Sequence, residues 1–447
     1  MKNTPASLQR RLGLGLLAAI AGAFATTGAL ADEKEIQQQF HTYENWKPEV
    51  PAGLSPGTVI NASNVDQFTA VLDPAMVKHI KDGWTELKVG DVIDMPLHPN
   101  YIKATVDNKN KETVSLGDKP GEIKGFVAGR PFPYEPDAND PRAGEKLAWN
   151  FKYGYNWGDN AAITPFYWKL RDMQTGKVER QFKFSFHFLN WRHRVNQAPL
   201  PEITPNPGGL FRSIYAQVSE PFDVKDTQLL IHRYTDDAQR DDAWLYLGFQ
   251  RRVRRLASGQ TTDAFLGTDI MIEDFEGYNG RVSDMKWTYK GTQTLLMPYY
   301  KHNEMPLTEE FKDSEGYKYV DFGGKGGCFA QVTWSPRKVY VVESEPVDPN
   351  HPISKRTHYA DVQTFGFSRT VSYDRKGELW KSWYICKAHP DYHLAKNKGT
   401  GVAIDDCFGM IDVQAEHCTT GQFKGQVDPA LNPVTKFTVQ NLRTSGQ

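Results

Sequence analysis

Residues 149–157 read WNFKYGYNW and residues 182–188 read FKFSFHF. In the first, Trp149, Phe151, Tyr153, Tyr155 and Trp157 alternate with Asn150, Lys152, Gly154 and Asn156. In the second, Phe182, Phe184, Phe186 and Phe188 alternate with Lys183, Ser185 and His187. A β-strand sends successive side chains to opposite faces, so period two predicts strands with one aromatic face each. Residues 164–171 predict a third strand, with Phe166, Trp168 and Leu170 on one side, and Gln174-Thr175-Gly176 is a hairpin turn. Three neighbouring antiparallel strands of this kind gather many large rings on one surface. That surface is either ordinary core, since one face of a half-buried sheet is apolar, or the wall of a cavity. A curved sheet with few helices to fill it leaves apolar space, where a ligand buries at about 25 cal/mol per Å2. The lining candidates are Trp149, Phe151, Tyr153, Tyr155, Trp157, Phe184 and Phe186, with Trp244 and Tyr246 from a later strand.

Outward from this block the pattern continues. Strands are predicted at 213–218, 228–234, 287–289, 294–297, 329–333, 339–345, 357–361, 366–373 and 379–386, with turns at Asp374-Arg375-Lys376-Gly377 and Asp348-Pro349-Asn350. Residues 241–277 run from the apolar Trp244-Leu245-Tyr246-Leu247 into Arg251, Arg252, Arg254 and Arg255, then into an acidic stretch with Asp263, Asp269, Glu273 and Asp274. Strand follows strand at short spacing, which predicts a large, strongly curved antiparallel sheet over 148–447. Residues 32–147 read as an N-terminal arm of helices and short strands. Ser63 or Asn64 is placed to cap a helix carrying Phe68, Val71 and Leu72. Asp73-Pro74 starts a second helix with Met76, Val77 and Ile80 inward, stopped by Gly83. Lys88 to Leu116 reads as short strands turning at Asp107-Asn108 and Gly117-Asp118, and 126–146 reads as a loop.

The chain has 447 residues, 39% hydrophobic and 12% aromatic, with a formal net charge of −1. The charge gives no general pull toward nucleic acid or anionic membrane. Lys2, Arg10 and Arg11, the apolar run Leu12 to Ala29 and the box Ala29-Leu30-Ala31 form a signal peptide over 1–31, removed on export. The expected compartment is the periplasm. The cysteines are Cys328, Cys386, Cys407 and Cys418, disulfide candidates in an oxidising compartment; three pairings are open, and a Cys407–Cys418 bridge would close a short loop.

The motifs WLYL at 244–247, RRVRRL at 251–256 and D-x-F-L-G-T-D-I-x-I-E-D-F at 263–275 are similar to the periplasmic proteins catalogued as domain of unknown function 1329. FVAGRPFP at 126–133, DPRAG at 140–144, HPISKR at 351–356 and YDRKGELW at 373–380 extend the resemblance over most of the mature chain. That family resembles the Lol carrier and receptor that sort outer-membrane lipoproteins. The resemblance implies a mainly antiparallel β fold with some α: a Lol-like unclosed β-barrel, a curved sheet wrapped on helices with an apolar cavity between. It also implies shielding of a lipid or other hydrophobic molecule, and neighbours among resistance-nodulation-division-type exporters and outer-membrane proteins.

Other chemistry is weighed against packing. Arg252, Arg254 and Arg255 either pair with Asp263, Asp269, Glu273 and Asp274, or grip an anionic headgroup or acidic partner through bidentate guanidinium bonds. Cys386, His389 and His393, with Asp391, Asp406, Cys407, His417 and Cys418, contain metal-ligand types, but C-x2-H-x3-H is no zinc spacing. Gly323 to Gly327 lacks the phosphate-loop pattern and reads as a tight turn. The expected function is a periplasmic carrier that needs no cofactor or metal and hands a hydrophobic ligand to a membrane partner. A metal-dependent hydrolase using the Cys/His cluster and an envelope adaptor are the alternatives.

Overall fold

The structure is a computed structural model that describes residues 33–110, 113–256, 260–311 and 313–444. The signal peptide expected at 1–31 lies outside them.

The principal sheet holds 16 strands. Its long antiparallel run contains β1 (Asn160–Asp172), β2 (Val178–Asn190), β3 (Leu210–Glu220), β4 (Gln228–Tyr234), β5 (Asp242–Leu247) and β6 (Arg252–Arg255). It continues with β7 (Met285–Met297), β8 (Thr333–Pro346), β9 (Ile353–Asp361), β10 (Phe367–Asp374), β11 (Leu379–Ala388), β12 (Ile404–Asp412) and β13 (His417–Gln426). The spatial order is β7-β8-β9-β10-β11-β12-β13-β1-β2-β3-β4-β5-β6. Each half is a meander, and the pairing of β13 with β1 joins the halves (Phe423 opposite Phe166). No pairing among the described residues joins β6 to β7, so the curved sheet stays unclosed. The predicted hairpins are present: Asp374 accepts from Lys376 N and Glu378 N, and Gly377 takes φ +79° to close the β10–β11 turn.

Four expectations fail. Trp149 to Trp157 is not a strand. Ala143–Lys152 is a helix that ends at Tyr153, and nearly all its residues are buried. A helix buried on every side needs no polar face, so its few polar residues fell by chance on alternate positions. Each finds its own partner: Asn150 exchanges bonds with Phe132 N and O, both 2.8 Å, and Lys152 meets Asp237 at 2.7 Å. The helix formers Ala143, Glu145, Lys146, Leu147 and Ala148 decide the local structure.

The stretch from Lys88 to Leu116 also holds a helix, Pro99–Asn110, between short strand pieces. Tyr101, Ile102, Thr105 and Val106 are buried at helical spacing. Asp107 sits inside the helix, paired with Lys103 at 2.8 Å, rather than in a turn. Residues 65–71 form two single 3-10 turns without a side-chain cap from Asn64, whereas Asp73 caps Pro74–Lys81 as expected, accepting from Ala75 N and Met76 N. Asp73 also receives Arg369 at 2.9 and 2.7 Å, tying the arm to β10 in a buried ion pair.

The cysteines pair as Cys328–Cys418, with Cys386 and Cys407 free and buried. A Cys407–Cys418 bridge is impossible here. On adjacent strands Cys418 stands opposite Ile411 and Cys407 opposite Gln422, an offset of four residues, roughly 13 Å.

Candidate functional site

The aromatic residues divide into two populations. Phe184 and Phe186 lie on one sheet face with Phe166, Trp168 and Phe423, and the segment 260–277 lies over that face. Phe275 meets Phe186 edge-on at 5.8 Å, and Phe265 stacks toward Phe184 at 6.4 Å. Trp157 stacks on Phe188 at 4.3 Å. Phe151 stacks on Phe367 at 3.7 Å, and Tyr155 leans on Tyr101 at 5.1 Å. Tyr246 is buried with Leu230 and Leu442, and Trp244 is half-buried against His232. These seven candidates pack against the chain's own side chains.

Trp149 and Tyr153 are different. They border a cavity of about 600 Å3, with Phe126, Arg192, His193, Thr235 and Asp237 on its other walls. Trp149 and Tyr153 stand one helical turn apart and stack at 5.5 Å; Phe126 stacks on Tyr153 at 4.5 Å. Trp149 Nε1, Tyr153 Oη, His193 Nε2 and Thr235 Oγ1 are buried without a hydrogen-bond partner in the chain. Leaving one such atom unpaired costs about 1–3 kcal/mol. All four belong to residues that border the hollow.

The surrounding electrostatics are fixed. Lys152 and Asp237 form a buried pair at 2.7 Å, with the ammonium 5.0 Å from the Trp149 ring centre. Burial alone would push the Asp237 carboxyl up; Lys152 and the bonds from Ser283 outweigh it and hold it below the usual carboxylate range. Burial, then the Asp237 charge, pushes the Tyr153 phenol up, so it stays protonated. Burial pushes His193 down to about 4, so its ring is neutral at ordinary pH. Its Nδ1 lies 2.6 Å from Val127 O and must carry the proton, which leaves Nε2 as a bare acceptor. His193 itself is held at φ +62°, a conformation that costs a side-chain-bearing residue roughly 1–3 kcal/mol and clusters at ligand sites. The cavity thus has an aromatic wall, and the residues that border it carry a buried indole N–H, a bare imidazole nitrogen and two hydroxyls.

The Arg strand is β6, at the open edge of the sheet. The acids expected to neutralise it are engaged elsewhere. Glu273 and Asp274 hold the buried Arg356, and Asp269 holds His417 at 2.9 Å. Arg255 pairs with Asp242, while Arg252 and Arg254 are exposed.

The Cys/His region is dispersed, but part of it converges on Asp406. His302 Nδ1 lies 2.7 Å from Asp406 Oδ2, His393 Nε2 3.3 Å from Oδ1, and the Tyr300 and Tyr317 hydroxyls donate at 3.0 and 2.9 Å. Burial opposes charge on His302, but Asp406 outweighs it and holds the imidazole above its ordinary value. His302, His393 and Asp406 have metal-ligand geometry, yet the surroundings do not fit an ion. Asn397 receives Val427 N on its oxygen and donates to Gly425 O, so its amide is oriented with Nδ2 facing His393 Nδ1 at 2.9 Å. Nδ1 is therefore an acceptor and Nε2 carries the proton. A ligating histidine shows the reverse, donating from the nitrogen away from the metal. The hub is a buried hydrogen-bond network that fastens residues 300–317 to β12.

The family model described as "Protein of unknown function (DUF1329)" matches residues 59–443. An uncharacterized protein of Pseudomonas aeruginosa is 24% identical over 362 residues, which cover 77% of this chain and 71% of that one. Among solved structures, a DUF1329 family protein from Desulfovibrio piger aligns at 16% identity and a TM-score of 0.45, covering 68% of this chain and all (100%) of that one. A LolA superfamily protein from Nitrosomonas europaea aligns at 11% identity and a TM-score of 0.36, covering 63% and 91%. The family match runs from the first short strand to the final helix, and the chain belongs to the DUF1329 family.

Proposed function

We propose that this chain is a periplasmic carrier for a small amphipathic molecule, which it holds in the hollow beside Phe126, Trp149 and Tyr153 and passes to a membrane partner. The observation that carries the reading is the 600 Å3 cavity bordered by four residues with unpartnered buried polar atoms. Its size falls in the range of small-ligand sites, which combine apolar walls with a few placed polar groups. The ligand's apolar body lies on the rings, and its polar group takes Tyr153 Oη, Trp149 Nε1 or His193 Nε2. The Lys152–Asp237 pair neutralises itself, so the site favours an uncharged polar group over an ion. The signal expected at 1–31 and the disulfide support an exported protein. A resistance-nodulation-division-type exporter or an outer-membrane protein is the expected recipient.

The test is organic extraction of the chain purified from its own periplasm, followed by mass spectrometry. The expected result is one dominant hydrophobic species, reduced about tenfold or more by Trp149→Ala with Tyr153→Ala, the loss of roughly 1.4 kcal/mol of binding. An extract identical in both proteins would contradict the assignment of the site. A metal-dependent hydrolase finds no support in the Asp406 hub, given the protonation of His393.

A further inference from the structure

Two turns at one end of the sheet carry the most exposed large side chains of the described residues. Phe222, in the β3–β4 turn, is 93% exposed, and Phe249, in the β5–β6 turn, is 71% exposed. The turns are pressed together: a Cβ on Gly248 would come within 2.5 Å of Lys225 O. Each closes through a left-handed residue, Asp226 at φ +61° and Arg251 at φ +49°. The two turns that carry the rings are therefore direct neighbours.

Around them stand Lys225, Arg251, Arg252 and Arg254, all exposed. Among the described residues, none of the three arginines has a carboxylate partner, and Arg254 reaches only Gln250, at 2.9 Å. The whole chain has a net charge of −1, so this concentration of guanidinium is local. Arginines do blunt an open sheet edge against pairing with another chain, but that role does not call for two bare phenylalanines beside them.

We propose that this end of the sheet docks on an anionic lipid bilayer, with Phe222 and Phe249 entering the headgroup region and Arg251, Arg252 and Arg254 binding lipid phosphates. Guanidinium binds phosphate bidentately, and basic residues beside inserted apolar side chains define a surface-bound membrane contact. A protein interface fits less well, because its core is depleted of charge, whereas here Phe249 lies near Arg251 and Arg252, and Phe222 near Lys225 and beside Asp223, whose charge Arg180 pairs. The proposal does not depend on what the cavity holds.

The test is co-sedimentation of the full chain with phosphatidylcholine vesicles and with vesicles containing phosphatidylglycerol. The chain is expected to bind the second and not the first, and to detach at high salt. Replacing Arg251, Arg252 and Arg254 together by Gln lowers vesicle affinity about a hundredfold, at roughly fivefold per arginine. Phe222→Ser with Phe249→Ser lowers it by a similar factor, about tenfold per ring. All five side chains are exposed, so the thermal midpoint stays put and misfolding cannot imitate the result. Phe222→Trp adds a reporter whose emission brominated lipid quenches beyond the wild-type background. A wild-type chain that ignores phosphatidylglycerol vesicles, variants that bind as well as wild type, or an unquenched Trp would each overturn the proposal, the first leaving the edge to an acidic protein.

Discussion

Two clusters of rings stand in this molecule, and they have opposite ends. Around Phe184 and Phe186 the aromatic face is covered by Phe265, Ile270 and Phe275 from the chain itself, and the space is full. Around Trp149 and Tyr153 the rings border an open volume, and their polar atoms lack partners. Aromatic content alone does not distinguish core from site. What distinguishes them is whether a neighbouring segment closes over the rings, since the covered face also holds unpartnered indoles at Trp168 and Trp383.

The sharpest way to break the comparison is truncation on the closed side. Phe184→Ala removes a ring that touches Phe166, Trp168 and Phe265 and should cost about 3–5 kcal/mol in urea unfolding, with ligand content per folded molecule unchanged. On the open side, Lys152→Met leaves Asp237 buried without its cation and should cost about 3 kcal/mol at neutral pH. The Asp237 carboxyl is held low in the fold, so this contribution is present above its unfolded value and fades as pH falls through the folded one. The difference between wild type and Lys152→Met should therefore shrink on acidification.

Tyr153→Phe should separate stability from binding. The lost hydroxyl has no partner in the chain, so unfolding should shift by less than about 0.5 kcal/mol, while ligand retention falls about tenfold. Pairing of the two effects, a large stability loss with intact binding, would place Tyr153 among the core residues. The smallest effect is in pH. His193 is neutral down to about 4 when folded, against an ordinary value near 6.5 unfolded. The unfolded chain takes the proton first, so His193 lowers stability as pH falls from about 6.5 toward 4. Ligand retention should hold across that range and drop only as Nε2 protonates. His193→Gln should flatten the drop.

The sheet was legible in the sequence because most of its strands are separated by short turns and carry period-two patterns, as at Phe182 to Phe188. The helix Ala143–Lys152 was not, because Trp149, Phe151, Tyr153, Tyr155 and Trp157 place a ring at every second residue across the helix end, and that run imitates a strand. Its two site residues, Trp149 and Tyr153, were nonetheless named, for their rings rather than their placement. His193, Thr235 and Asp237 went unnoticed: they come from separate segments, and nothing local marks a residue as a cavity wall. Phe126 lay in view within FVAGRPFP, the motif that carries the resemblance, but its stacking on Tyr153 is a tertiary fact. The Cys328–Cys418 bridge spans 90 residues and depends on register, which a spacing argument favouring the short loop could not supply.

The central claim is that the hollow beside Tyr153 holds a ligand. The most direct measurement is a crystal structure of the chain isolated from its native cells without refolding. Continuous density in the hollow beside Phe126, Trp149 and Tyr153, with a polar atom within hydrogen-bond distance of Tyr153 Oη or His193 Nε2, is the expected result. Ordered water alone in that volume, bonded to the same atoms, would contradict the claim.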